Sequence, residues 1–217
     1  MQWSDEGYLL SKNNFDENSI IIEAFTENHG KYSGIVYGGS SRKQKKNYQI
    51  GNKILLNCKS KGVNKVGYFS IELITPVSPP FFDDKERSIC ILSATTILKL
   101  LLPERQINKK IYNSFQNFLI KLNNDNWIEL YILWELELIK ELGFAYDFKS
   151  NSKSIEINGK LLKVPEKILK GEDCNYSTQD INDALIFNKN LLIENFILPN
   201  KLRFPISRNI LEKYFIN

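Results

Sequence analysis

Hydrophobic and polar positions alternate over the first 75 residues in a pattern that predicts short β-strands. Segments rich in β-branched and aromatic residues are separated by Asn, Asp, Gly and Ser, which favour turns. The predicted strands cover residues 8–12, 20–26, 33–37, 53–59 and 67–74. Five short strands in a segment of this length fit a small closed or partly open barrel.

The periodicity changes after a proline-rich stretch at residues 75–80. Pro76, Pro79 and Pro80 can neither continue a sheet nor lie inside a helix, so a domain boundary is predicted after residue 78. Beyond it, apolar residues recur at helical spacing. The predicted helices cover residues 87–102, 107–123, 126–143, 178–198 and 205–215.

Regularity weakens between residues 144 and 176, except around a predicted hairpin. Segments 154–157 and 161–164 flank Asn158 and Gly159, the dipeptide best suited to a two-residue hairpin turn. Ser177 or Thr178 is a suitable cap for the next helix. The predicted fold class is therefore α+β, with an N-terminal five-stranded barrel (1–78) followed by a C-terminal helical domain (79–217) that carries a small β-hairpin insertion.

The composition is that of a globular protein, with 42% hydrophobic and 25% charged residues. No apolar run approaches the roughly 18 residues that a membrane span needs, and the first residues lack the order of a signal peptide. Cys58, Cys90 and Cys174 lie far apart, which argues against a disulfide framework. These features together predict a cytoplasmic protein.

The distribution of charge is more informative than the net charge of +4. Residues 28–65 contain nine lysines or arginines and no Asp or Glu. Flexible cations in a loop can follow phosphates and release counterions, so this stretch is expected to form one positive surface that binds nucleic acid. The predicted binding residues are Lys31, Arg42, Lys43, Lys45, Lys46, Lys59, Lys61 and Lys65.

Three tyrosines interleave with these cations, and two interpretations of them stay open. Tyr32, Tyr37 and Tyr48 could stack on unpaired bases, or they could fill the core of the barrel.

Catalytic and metal motifs are poorly supported. The single histidine, His29, lies in a turn-like Asn-His-Gly sequence without a neighbouring nucleophile motif. Glu135, Glu137 and Glu141 lie on one predicted helix, and Glu137 and Glu141 share a face with Lys140 nearby, which usually marks a solvated surface. There is no glycine-rich phosphate loop, dinucleotide fingerprint or zinc-type cysteine spacing. The sequence therefore predicts no catalytic residues, no cofactor and no bound metal.

Several segments together resemble a known protein family. They are residues 5–10 (DEGYLL), 19–31 (SIIIEAFTENHGK), 38–42 (GGSSR), 49–52 (QIGN) and 134–144 (WELELIKELGF). Their order and spacing are similar to those of the RecO family of bacterial recombination mediators. The resemblance implies an OB-fold barrel and a helical domain that bind single- and double-stranded DNA and anneal complementary strands. It also implies that the protein acts together with RecR and single-stranded-DNA-binding protein (SSB) to load recombinase at gaps.

The chain departs from the family pattern at two places. Many members carry a four-cysteine zinc module where residues 144–176 of this chain hold Cys174 alone. Members often have arginines implicated in gripping the acidic tail of SSB where this chain has Ile132 and Leu133.

Two functional hypotheses follow. The first is a non-catalytic DNA repair and homologous recombination mediator, cytoplasmic and nucleoid-associated, with DNA, RecR and SSB as partners and no membrane contact. The alternative is a protein-interaction adaptor that acts mainly through the helical domain, using apolar surface near Ile128, Tyr131 and Leu138.

Overall fold

The computed structural model describes residues 2–39, 48–60, 67–146, 148, 153–170 and 175–216. The chain divides into two compact units, Met1–Tyr112 and Asn113–Asn217. Each unit is described by itself. Among the described residues, no helix is both long enough and apolar enough to cross a membrane.

The first unit is built on a closed five-stranded barrel, which confirms the predicted fold class. Its strands are β1 (Gln2–Asn14), β2 (Ser19–Thr26), β3 (Gly30–Tyr37), β4 (Lys53–Lys59) and β5 (Gly67–Thr75). Neighbours follow the order β1-β2-β3-β5-β4, and β4 closes the barrel by pairing antiparallel with β1. The contact between β3 and β5 is parallel, whereas the other strand pairs are antiparallel.

Strand β1 is longer than predicted, because it starts at Gln2 rather than at Tyr8. Its first half pairs with β4, from Gln2 opposite Lys59 to Tyr8 opposite Lys53, and its second half pairs with β2. Alternate residues of the strands point inward, and Leu9, Ile22 and Leu56 are completely buried in the barrel core. This alternation is the physical origin of the pattern in the sequence.

Helix α1 (Lys85–Leu101) follows a short 3-10 turn at Pro79–Phe81 and belongs to the first unit. Its N-terminus is capped by Asp84, whose carboxylate accepts a hydrogen bond from the backbone N–H of Arg87 at 2.9 Å. Because α1 packs against β1, the first compact unit continues past residue 78 and reaches Tyr112. Residue 78 separates the barrel from α1.

The remaining elements confirm the predicted helices and the hairpin. They are α2 (Lys109–Ile120), a 3-10 turn (Lys121–Asn123), α3 (Trp127–Glu141), β6 (Ser154–Ile157), β7 (Lys160–Lys163), α4 (Glu166–Lys170), α5 (Thr178–Leu192), a π-helical turn (Ile193–Ile197) and α6 (Ile206–Lys213). The sequence pattern missed the short helix α4, and it merged the π-helical turn with α5.

Local signals in the second unit act as expected. Asn158 and Gly159 have φ values of 51° and 80°, so both adopt the left-handed conformation that a type I′ hairpin turn requires. Ser177 caps α5 in a capping box, since its hydroxyl accepts from the N–H of Asp180 while the Asp180 carboxylate accepts from the N–H of Ser177.

Helix α3 packs against α5 within the second unit, and its burial corrects one expectation. Ile128, Tyr131 and Leu138 are buried, so they do not form the exposed apolar surface on which the adaptor hypothesis relied. Glu135, for which the sequence predicted no buried role, is completely buried and paired with Arg208 of α6. Glu137 is exposed, as the pattern predicted.

Candidate nucleic-acid interface

The predicted cations fall into two groups in the structure. Six of them lie outside the described residues: Arg42, Lys43, Lys45, Lys46, Lys61 and Lys65. The other two, Lys31 on β3 and Lys59 at the end of β4, occupy different environments. Lys59 is exposed, whereas Lys31 is only 9% exposed.

Lys31 departs from the expected outward-facing surface. Its ammonium donates a hydrogen bond to the backbone carbonyl of Lys99 in α1 at 2.6 Å. Burial lowers the pKa of the Lys31 ammonium, and the nearby carboxylates of Glu23 and Glu104 oppose this shift. Lys31 therefore joins β3 to α1, and its ammonium does not lie on a common face with Lys59.

The outer face of β2 and the first half of β3 is covered within the first unit. Lys99 of α1 forms an ion pair with Glu23 of β2, with 2.8 Å between Nζ and Oε1. The backbone N–H of Arg105 donates to the carbonyl of Lys31 at 2.8 Å. The ring of Tyr112 packs edge-on against that of Phe25, with 5.6 Å between centroids. This part of the barrel is therefore closed to a large ligand.

A row of exposed side chains runs across β1, β4, β5 and the last residue of β3, and we call it the tyrosine row. It consists of Gln2 (β1), Lys59 (β4), Tyr68 (β5) and Tyr37 (β3). Gln2 pairs with Lys59, and Lys59 pairs with Tyr68. Tyr68 lies opposite Ile35, two residues before Tyr37 on β3. The row thus brings a cation and two aromatic rings together on an open surface.

The two tyrosines of the row are stacked on each other. Their ring centroids are 5.0 Å apart, and the ring planes differ by 16°. Tyr37 is 66% exposed and Tyr68 is 40% exposed. Hydrogen bonding with Tyr68 raises the pKa of the Tyr37 hydroxyl.

The structure separates the three tyrosines that the sequence had singled out. Tyr48 is buried in the barrel core. Tyr32 packs against that core, and the guanidinium of Arg105 lies 5.3 Å from its ring centre. Only Tyr37 of the three is highly exposed. Tyr68 was missed: it lies between the buried Gly67 and Phe69, and the sequence Gly-Tyr-Phe does not show which of its two rings faces outward.

His29 lies in the turn between β2 and β3, as predicted, and it anchors that turn to β1. Its Nδ1 is 2.8 Å from a carboxylate oxygen of Asp5, and its ring stacks on Trp3 at 4.1 Å between centroids. The backbone N–H of Asn28 donates to the same carboxylate at 2.8 Å. Burial alone raises the pKa of Asp5, but the hydrogen bonds from His29 and Asn28 outweigh burial and lower it.

This anchor predicts a pH dependence of stability. Because the pKa of Asp5 is lower in the folded chain, its stabilisation is complete above the ordinary value of 3.8 and is lost as the pH falls through the folded pKa. We expect Asp5→Asn to lower the free energy of unfolding by about 1–3 kcal/mol at neutral pH. Urea denaturation at several pH values should show a smaller difference between the two proteins in acid. Parallel pH profiles would contradict this role of Asp5.

Comparison with known proteins decides the family. A model described as Recombination protein O N terminal matches residues 1–76, and one described as Recombination protein O C terminal matches residues 83–179. The chain belongs to the RecO family. The first match covers the barrel, and the second begins just before α1 and ends at the start of α5.

Relatives with the name DNA repair protein RecO support the assignment. The protein of Wolbachia sp. subsp. Drosophila simulans is 34% identical over 149 residues, which are 68% of this chain and 61% of the relative. That of Ehrlichia chaffeensis is 33% identical over 149 residues, 68% of this chain and 60% of the relative. That of Rhodospirillum centenum is 27% identical over 150 residues, which are 69% of this chain and 60% of the relative. The matched region thus spans about 60% of these RecO relatives.

One position of this RecO-family chain differs in its environment from what the resemblance implied. Ile132, at one of the positions expected to hold an arginine, is completely buried, and Leu133 is half-buried. Within the part of the chain that the structure describes, no three His, Cys, Asp or Glu side chains are grouped so that they could hold a metal ion. Cys174 lies outside those residues.

Proposed function

We propose that this chain is a DNA repair and homologous recombination mediator. It binds single- and double-stranded DNA, promotes the annealing of complementary strands, and helps RecR to load recombinase onto gaps coated with SSB. It acts at the nucleoid in the cytoplasm and catalyses no covalent reaction. The observation that carries this proposal is the match of two successive RecO family models to the barrel and to the helices that follow it.

The physical chemistry of the barrel supports DNA as the ligand. Residues 28–65 carry nine cations and no carboxylate, and the exposed Lys59 belongs to that stretch. Binding by Lys and Arg to phosphates is independent of base sequence, which suits a protein that must act at any gap. Lys31 is not assigned to this contact, because its ammonium is hydrogen-bonded to the carbonyl of Lys99.

The proposal predicts a salt-dependent affinity that comes largely from one segment. We expect the combined substitution Arg42→Ala, Lys43→Ala, Lys45→Ala and Lys46→Ala to weaken binding equally for oligonucleotides of unrelated sequence. The slope of log affinity against log salt should become less steep by about 3–4, since each phosphate contact contributes roughly 0.7–0.9 to it. Fluorescence anisotropy of labelled oligonucleotides at several salt concentrations measures both effects.

A matched control changes the same amount of charge elsewhere. The variant carries Ala at Lys153, Lys163, Lys201 and Lys213, which are exposed positions of the second unit. It should retain most of the affinity and the slope. An equal loss in both variants would show that net charge, and not the 42–46 segment, governs binding, and an unchanged affinity in the first variant would remove that segment from the DNA contact.

A further inference from the structure

We propose that Tyr37 and Tyr68 form a stacking platform for an unpaired base, with Lys59 bound to a neighbouring phosphate, so that this face of the barrel selects single-stranded over duplex DNA. The inference rests on the proposed DNA-binding function and assigns a strand preference to one surface of the barrel. It depends on three features of the tyrosine row: exposed aromatic rings, the position of the cation, and the position of the nearest carboxylates.

The rings are held in place before any ligand arrives. Tyr37 and Tyr68 are held by their mutual stacking, with 5.0 Å between ring centroids, yet much of each ring surface faces solvent. Large aromatic surfaces that stay exposed on a folded unit often mark a binding site. Because the rings are already ordered, a base that stacks on the outer face of Tyr37 or Tyr68 immobilises little further side chain.

The cation lies on one side of the pair. Lys59 is directly opposite Tyr68 on the neighbouring strand, and strands are about 4.8 Å apart. Lys59 is exposed, and no ion pair joins it to a carboxylate among the described residues. Its ammonium can therefore contact the phosphate that follows or precedes a base stacked on the rings.

The carboxylates near the tyrosine row lie away from Lys59, so the two ends of the row differ in charge. Asp16, in the turn between β1 and β2, is near Tyr37 on the side remote from Lys59, and its charge contributes to the raised pKa of Tyr37. Glu72 is also exposed, but it lies four residues beyond Tyr68 on β5, about 13 Å along the strand. A phosphate backbone is thus expected to run past Lys59 and to avoid Asp16.

Stacking of this kind distinguishes the two forms of DNA. In a duplex the faces of the bases are covered by their neighbours, so the rings can reach them only where a strand is unpaired. One base stacked on an aromatic side chain contributes about 5- to 150-fold in affinity. Phosphate contacts from lysine, by contrast, contribute to both forms. The tyrosines should therefore affect single-strand binding alone.

The experiment compares the full chain with Tyr37→Ala/Tyr68→Ala, using a single-stranded oligonucleotide and a duplex of the same sequence. We expect the double variant to lose about tenfold or more in single-strand affinity and less than about twofold in duplex affinity. The double Tyr→Phe variant should bind like the parent, since stacking needs the ring and not the hydroxyl. Tyr214→Ala removes a tyrosine of similar exposure from the end of α6 and should change neither affinity.

The outcomes separate the two proposals. If the parent chain binds neither form of DNA, the proposed function fails, and this inference fails with it. If the parent binds DNA but the alanine variant loses both forms equally, or neither, the strand preference is wrong while the proposed function stands. Thermal unfolding of each variant shows whether the barrel is intact, and Tyr→Phe provides a binding measurement in which the ring packing is preserved.

Discussion

Replacing Arg208 by Ala is expected to lower the free energy of unfolding by about 3–5 kcal/mol, because it leaves a buried carboxylate without its counter-ion. Arg208 and Glu135 are both completely shielded from solvent. The guanidinium donates to both carboxylate oxygens, at 2.6 Å from Nε and 3.0 Å from Nη2. Urea denaturation followed by tryptophan fluorescence measures the loss, since Trp127 and Trp134 are both buried in the second unit.

The reason for so large an effect is the network around the pair. Glu135 also accepts hydrogen bonds from the hydroxyl of Tyr131 at 2.7 Å and from the side-chain amide of Asn188 at 3.2 Å. Arg208 donates further to the carbonyl of Leu185 at 2.8 Å. The network therefore joins α3, α5 and α6, and the removal of one member leaves several buried polar groups without partners.

A surface pair provides the control. Arg87 and Asp84 are 2.6 Å apart, but both side chains are partly exposed, so Arg87→Ala should cost no more than about 1 kcal/mol. The double variant Glu135→Ala/Arg208→Ala should be less destabilised than the sum of its single variants, since neither charge is left alone. Equal losses for Arg208→Ala and Arg87→Ala would mean that the buried pair has no special role.

The structural role of Glu135 shows where a local pattern is insufficient. The sequence predicted no buried role for Glu135, and its partner Arg208 is 73 positions away along the chain. A signal was present, because Glu135 lies one helical turn after Tyr131 and one before Leu138, and both of these are buried. The spacing placed Glu135 on the apolar face of α3, but it could not identify the partner.

The barrel shows the same limit at β1. Strand β4 has the predicted bounds, since its residues alternate strictly between buried and less buried positions. Residues 2–7 were missed because Asp5 and Glu6 interrupt an apolar pattern. Asp5 is nonetheless buried, since His29 and Asn28 donate to its carboxylate from 24 and 23 positions away. Hydrogen bonds between distant residues allow a charge to occupy a place that composition assigns to an apolar side chain.

The candidate site could be predicted in composition but not in arrangement. Lys59 of the acid-free stretch is exposed, but Lys31 belongs to the same stretch and is buried. Both Lys31 and Tyr37 point away from the barrel interior on β3, and the difference between them arises because α1 covers one end of that strand. Period-two alternation distinguishes the inside of a barrel from the outside, and it contains no information on which part of the outside another element covers.

Gly30→Ala is expected to destabilise the first unit strongly, because two costs coincide at this position. Gly30 has φ +75°, a left-handed conformation that costs a residue with a side chain about 1–3 kcal/mol. An added Cβ would also collide with the backbone carbonyl of Gln106, which cannot rotate away as a side chain could. The collision should disturb the hydrogen bond from Arg105 N–H to the Lys31 carbonyl as well. Thermal and urea unfolding measure the combined loss.

Gly38→Ala separates the two costs. Gly38 has φ +69°, close to that of Gly30, but a Cβ built there meets no atom of the described residues within 4 Å. Its substitution should therefore show the conformational cost alone, and the excess loss in Gly30→Ala measures how firmly the segment at Gln106 is packed against the turn between β2 and β3. If both variants lose the same stability, that segment moves aside freely, and the cover over β3 that keeps Lys31 from solvent is weaker than the geometry of its contacts implies.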